Sequence, residues 1–194
     1  MTAEEIRDRL KGKKVGIAGA GGLGSNCAVA LVRCGIGKLA VADFDVVSES
    51  NLNRQYYFRD QVGMPKTDAL AANLKRIDPA VELSMFQVRV TPANLQMLFG
   101  DCDVIVEAFD LAEEKEMLAE AVLTRMPETP LVLGLGIAGW GLNDLIRCRK
   151  SGNLYICGDE VTEISPELPP IAPRVGIVAN MQANVVLEIL LSDK

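Results

Sequence analysis

Apolar and polar positions alternate along this chain in short blocks. Lys14–Ala18 (KVGIA) and Lys38–Ala42 (KLAVA) are brief aliphatic runs that read as buried parallel strands, and between them GAGGLGSN leads into a helix through Cys34. A short charged helix is expected over Ala3–Lys11. Beyond the second strand, Pro65–Ile77 reads as a helix with Pro in its first turn, Val81–Val88 as a strand, and Thr91 as the N-cap of a helix through Phe99. Asp103–Ala108 and Leu131–Leu135 are further buried strands, joined by the amphipathic crossover helix Leu111–Met126. This alternation of β and α predicts a Rossmann-like α/β fold, a doubly wound and mostly parallel sheet.

From Gly136 the pattern changes. Asp144–Arg149 alternates apolar and polar residues, Asn153–Cys157 follows after Ser-Gly, and both read as antiparallel or edge strands of a C-terminal extension. Gly158–Pro173 is rich in Pro and Glu and is expected to be a long surface loop, a kind of segment that is usually functional in a compact domain. A helix over Val175–Leu191 closes the pattern. A chain of 194 residues fits one domain, with a nucleotide-binding core at 1–135 and the later strands, loop and last helix at 136–194.

Charge and composition narrow the chemistry. The net charge is −6 and the Lys and Arg residues are scattered, so binding to nucleic acid or to an anionic membrane is not expected. No uninterrupted apolar run approaches the ~20 residues of a spanning helix. The opening MTAEEIRDRLKGKK is polar rather than signal-like, so a cytoplasmic protein is expected. The five cysteines form no C-x-x-C pair and suggest neither a disulfide framework nor a zinc site. The chain has no histidine, which removes Ser-His-Asp and Cys-His nucleophile activation. Chemistry must therefore run on carboxylates, Lys, Arg, Cys and backbone amides.

In GAGGLGSN, Gly19, Gly21, Gly22 and Gly24 allow a tight turn and close backbone approach, and the helix starting near Leu23 offers free N–H groups and a positive dipole end to phosphate. The acidic pair Asp43 and Asp45 ends the second strand, with Asp43 about 20 residues on, where a carboxylate can accept from ribose hydroxyls. The polar insertion Ser48–Lys66 then places Asn51, Asn53, Arg54, Gln55 and Lys66 beyond the carboxyl ends of the strands. Arg and Lys converging there suit a triphosphate better than a neutral nicotinamide ring. A dehydrogenase half-domain has the same opening, and a purely structural Gly-rich turn with solvated charges is the blander alternative.

The motifs GxGGLGSN, DFDxVxxSNLNRQ and GxPK, with Asp110 after DVIVEAF and the ending APRVGIVANMQANVVLEIL, resemble the adenylation core of the ThiF, MoeB and ubiquitin-activating enzyme superfamily. The length is most similar to the smaller ThiF proteins of thiamine biosynthesis. The resemblance implies ATP-dependent adenylylation of the C-terminal glycine carboxylate of a ubiquitin-like sulfur carrier ending in Gly-Gly, by a homodimer. It assigns Asp43 to the ribose, Asn51, Arg54 and Lys66 to the phosphates, and Asp110 to Mg²⁺. Gly19 to Gly24 line the nucleotide, and Asp45, Asn53 and Gln55 complete the binding set. Relatives carry two C-x-x-C zinc pairs where this chain has only Cys157, so no zinc is expected; Cys157 is also the one candidate for a sulfur-transfer cysteine. Arg7 and Arg9 are the candidates for an arginine given to a partner subunit. Gly158–Pro173 would close over the carrier's tail, with Gly134, Gly136, Gly139 and Gly141 leaving room for it. An NAD(P)-dependent oxidoreductase and a nucleotide-binding module without catalysis stay open as alternatives.

Overall fold

A computed structural model of the chain describes residues 1–192. Among them the strands β1 (Lys14–Ala18), β2 (Lys38–Ala42), β3 (Glu82–Phe86), β4 (Val104–Glu107), β5 (Leu131–Gly134), β6 (Arg147–Ser151) and β7 (Leu154–Gly158) form one sheet in the order β3-β2-β1-β4-β5-β7-β6. Every neighbouring pair is parallel except β6 with β7. The α/β doubly wound reading is therefore correct, with one adjustment at its end. Only β6 is an antiparallel edge strand, whereas β7 is inserted parallel to β5. The residues explain the difference: β6 (RCRKS) is exposed at every position, while Tyr155 to Gly158 of β7 are all buried and need a neighbour on both sides.

Helices cover both faces. Along β1, Val15 and Ile17 point to the side packed by α1 (Ala3–Leu10), α2 (Gly22–Cys34), α3 (Lys66–Ile77) and α6 (Ala172–Leu191). Ala18, Ala40, Ala42 and Ile105 point to the side packed by α4 (Leu95–Phe99) and α5 (Ala112–Arg125). This period of two is what a strand with both faces buried requires. Helix α1 starts in a capping box between Thr2 and Glu5. Thr91 does not cap α4 as its position suggests. A turn holds 91–94, in which the Asn94 amide oxygen accepts from the Thr91 N–H at 2.8 Å, and the helix starts at Leu95. Helix α6 starts at Ala172, with Pro173 in its first turn. It is long and apolar enough to cross a membrane by length and composition, and half of its most apolar stretch is buried inside this fold.

The segment between β7 and α6 is anchored by a buried ion pair. One Asp159 carboxylate oxygen binds the Arg174 guanidinium, and the other accepts from the N–H groups of Val161 and Thr162, both at 2.8 Å. Both residues are almost fully buried. Burial alone would raise the Asp159 carboxyl, but the hydrogen bonds from Thr162, Val161 and Arg174 outweigh it and hold the group below its ordinary range. Arg174 also donates to the Gly141 carbonyl, so the same guanidinium ties the segment after β5 to the start of α6.

Two stability predictions follow from this architecture. A Cβ on Gly24 would lie 1.9 Å from the Gly19 carbonyl oxygen, so Gly24→Ala should destabilise the fold by about 3 kcal/mol in urea unfolding; an unchanged midpoint would refute the close approach. Because the Asp159 carboxyl is held low, its contribution is present above the ordinary Asp pKa of about 3.9 and is lost as pH falls through the lowered value. Unfolding measured at a series of acid pH values should therefore show a steeper loss for the wild type than for Asp159→Asn, and parallel curves would remove this carboxylate from the account.

Candidate nucleotide-binding site

The strand order reverses between β1 and β4, and crevices at the carboxyl ends of such strands are where open α/β sheets bind ligands. A cavity of about 510 Å³ lies there. Its floor is the Gly-rich turn. β1 ends at Ala18, Gly19 takes φ +99°, and α2 begins at Gly22 without a side-chain cap, leaving its first N–H groups to whatever binds. Ser25 and Asn26 stitch this turn to the insertion. The Ser25 hydroxyl donates to the Gly21 carbonyl at 2.6 Å and accepts from the Tyr56 N–H at 3.0 Å, and the Asn26 amide donates to the carbonyls of Gly22 and Arg54.

Asp43, at the end of β2, is buried, and its two oxygens accept from the N–H groups of Ala20 (2.6 Å) and Asp45 (2.8 Å). This fixes the carboxylate against the Gly-rich turn. Lys66, the first residue of α3, is also buried; its ammonium lies 2.7 Å from an Asp45 oxygen and 4.0 Å from an Asp43 oxygen. The Tyr57 hydroxyl donates to the Ala20 carbonyl at 2.7 Å, and burial, then the charges of Asp43 and Asp45, push its ionisation well above the ordinary value. It remains a neutral donor.

Of the residues that the sequence singles out, Gly19, Gly21, Gly22, Leu23, Asp43, Asp45, Arg54, Gln55, Lys66 and Asp110 all line the cavity. Gly24, Asn51 and Asn53 do not. Gly24 is packed under the Gly19 carbonyl; the Asn51 amide oxygen accepts from the Ser48 N–H at 3.0 Å; the Asn53 amide oxygen accepts from Arg54 at 2.8 Å and so aims that guanidinium. Arg7 and Arg9 lie on α1, away from the cavity, and Arg7 packs at Gly35 beyond the last turn of α2. A Cβ on Gly134 would meet Leu23 at 2.3 Å, so that glycine serves helix packing. Cys157 is fully buried, and burial raises its thiol.

The far wall was not legible in the motifs. Phe44, Val88, Val90 and Leu111 make it apolar, and Arg89 stacks over the Phe44 ring at 4.1 Å while pairing with Glu114. Beneath it, the buried Glu107 meets the Lys115 ammonium at 3.0 Å through both oxygens, and Lys115 also donates to the Gly134 carbonyl, bracing the ends of β4 and β5. Burial lifts the Glu107 carboxyl despite Lys115. Ile137, Ile164, Pro170 and Val175 form the roof, so the segment anchored by Asp159 and Arg174 covers the cavity.

Among the described residues no three His, Cys, Asp or Glu side chains are placed to hold a metal ion together. Asp45 and Asp110 both offer exposed carboxylates at the cavity edge, and Asp45 is engaged by the Lys66 ammonium at 2.7 Å. That donor set fits Mg²⁺, which is commonly held by one or two carboxylates with the remaining positions given to water and substrate phosphates.

Comparison with known proteins establishes the family and the fold. The ThiF family profile matches residues 1–194. The adenylyltransferase and sulfurtransferase UBA4 of Candida glabrata is 30% identical over 190 residues, covering 94% of this chain and 43% of that protein. The SAMP-activating enzyme E1 of Haloferax volcanii is 31% identical over 193 residues, 96% of this chain and 64% of that protein. The chain thus spans less than two thirds of either relative. Among solved structures, E. coli tRNA N6-threonylcarbamoyladenosine dehydratase, TcdA, in complex with AMP superposes with a TM-score of 0.87 at 21% identity, covering 97% of this chain and 89% of that one. E. coli MccB with ATP superposes at 0.73 with 20% identity, over 95% of this chain and 57% of the other. These two likenesses concern the fold, and the sequence match over the whole chain carries the assignment: this protein belongs to the ThiF family.

Proposed function

We propose that this chain adenylylates the C-terminal glycine carboxylate of a ubiquitin-like carrier protein, using ATP and Mg²⁺. The observation that carries the reading is the convergence of Asp43, Arg54, Lys66 and Asp110 on one cavity at the N-terminal end of α2. The relatives named above support it, since an adenylyltransferase and a carrier-activating enzyme are among them. In this reading the α2 N–H groups and Lys66 take the phosphates, Asp43 takes the ribose, and the apolar wall at Phe44, Val88 and Val90 takes the base.

One carboxylate oxygen of the carrier attacks the α-phosphorus of ATP. The new O–P bond forms as the bond to pyrophosphate breaks, and pyrophosphate leaves with its charge. A glycine carboxylate is ionised at neutral pH, so no general base is needed, and the residues contribute alignment and charge stabilisation. Asn53 and the Ser50 carbonyl hold Arg54 towards the cavity. Lys66 is pinned between Asp45 and Asp43 and needs no rearrangement to act as a fixed cation.

Four carboxylates (Asp43, Asp45, Asp110, Glu114) and three cations (Arg54, Lys66, Arg89) line the cavity, which leaves it slightly negative before a polyanion enters. Mg²⁺ held through Asp110 would supply the charge neutralisation that such a site lacks. The finer form of the proposal is a cytoplasmic homodimer acting on a ThiS-like carrier ending in Gly-Gly for thiamine synthesis, with the roof segment closing over the carrier's tail and no zinc. It rests on the sequence resemblance.

ATP–pyrophosphate exchange tests the reading, with an intact ThiS-like carrier, the same carrier without its last glycine, and a carrier of molybdopterin synthesis. Exchange should require the intact tail and Mg²⁺, and Asp110→Ala and Lys66→Ala should each lower it by about 100-fold or more. Exchange with the molybdopterin carrier alone would move the pathway, and ATP binding without exchange on any carrier would leave a nucleotide-binding module. Preferential binding of NAD(P) would overturn the proposal.

A further inference from the structure

Cys148 and Cys157 are direct partners across the antiparallel β6–β7 ladder. The two-residue turn Gly152-Asn153 makes Ser151 and Leu154 the first hydrogen-bonded pair, and alternation then makes Lys150–Tyr155 and Cys148–Cys157 non-hydrogen-bonded pairs. Such pairs are the closer kind, with Cα atoms about 4.5 Å apart and both side chains on the same face of the sheet. That separation lies inside the window of about 4.4–6.8 Å that a disulfide spans. Burial raises the Cys157 thiol, and the neighbouring Cys148 raises it further.

We propose that Cys148 and Cys157 form a redox-active dithiol that hydrogen peroxide converts to a cross-strand disulfide. The two members differ in a useful way. Cys148 is exposed on the edge strand, where an oxidant reaches it, and Cys157 is fully buried beside it with no direct access. The Cys148 sulfur attacks a peroxide oxygen, giving a sulfenic acid and one water that carries away the thiol proton. The Cys157 sulfur then attacks the sulfenic sulfur; the S–S bond forms, the S–O bond breaks, and the departing hydroxide takes the Cys157 proton as a second water. Two thiols and one peroxide give one disulfide and two waters, with two electrons passing from sulfur to oxygen.

The remaining cysteines lie elsewhere. Cys27 sits on α2 within the core face behind Cys157, Cys34 ends that helix, and Cys102 belongs to the core on the opposite side of the sheet. The cross-link would join the edge strand to β7 one residue before Gly158 and Asp159, where the roof segment is rooted and where Arg149 of β6 already pairs with Glu160 at 2.6 Å. Oxidation would thereby fasten β6 to the root of the cavity's cover.

The test counts thiols and is independent of the ATP reading. The purified full chain is treated with hydrogen peroxide, unfolded and alkylated, and digested with trypsin without reductant. The expected result is that alkylatable thiols fall by two from the five in the sequence, that the peptides bearing Cys148 and Cys157 are recovered linked and lighter by two hydrogens, and that dithiothreitol restores both. C148S, at an exposed position, should fold normally and yield no linked pair. Overoxidation of Cys148 with Cys157 left free, a Cys148-linked dimer, or loss of two thiols in C148S would each overturn the proposal.

Discussion

The N-terminal end of α2 can lie against the carboxyl end of β1 only because residues 19 and 24 have no side chains. A Cβ on Gly24 would collide with the Gly19 carbonyl, and one on Gly19 would reach the Ala108 carbonyl at 2.7 Å. This contact aims the first N–H groups of α2 into the cavity and brings Ala20 close enough to hydrogen-bond Asp43. From Asp43 the order spreads outward through Asp45 to Lys66, and through Tyr57 to the insertion. A looser junction would leave each of these groups without a fixed partner, so packing at two glycines sets the geometry of the charges.

The second organising element is polar and buried. Gln182 of α6 donates to the Glu107 carbonyl at 2.9 Å, Lys115 bridges Glu107 to β5, and Arg174 bridges Asp159 to Gly141. Removing one member of such pairs strands a charge away from water, which costs more than the pair gains over an apolar core. Their value is positional: they hold the ends of β4, β5 and β7 and the first turn of α6 around one volume.

The strands of the core, the Gly-rich turn and the acidic end of β2 were legible because each depends on a local pattern: aliphatic runs, glycine spacing, a carboxylate at a strand terminus. The Ser25 and Asn26 braces were present in the quoted motif GAGGLGSN, but their partners lie some thirty residues away and only the folded chain reveals them. The parallel placement of β7 depends on which neighbour buries its second face, and a period-two pattern reports burial without reporting direction. Asp159 lies in the Pro- and Glu-rich stretch expected as a surface loop and Arg174 just beyond it, and their pairing at a distance leaves no periodic trace. The same holds for Arg89 over Phe44, whose two residues come from the ends of different strands.

Helix α6 contributes Val175 to the cavity's roof and packs its buried face along α2 and the sheet, so part of the site's boundary lies far along the sequence from the Gly-rich turn. The ribosome delivers the sequence in the opposite order of need. The Gly-rich turn emerges early, and the strands beside it can pair, while the cavity floor it forms still lacks the cover that comes some 150 residues later. Until then the nascent protein presents an incomplete pocket and a bare sheet face, and the cavity is closed only when α6 docks.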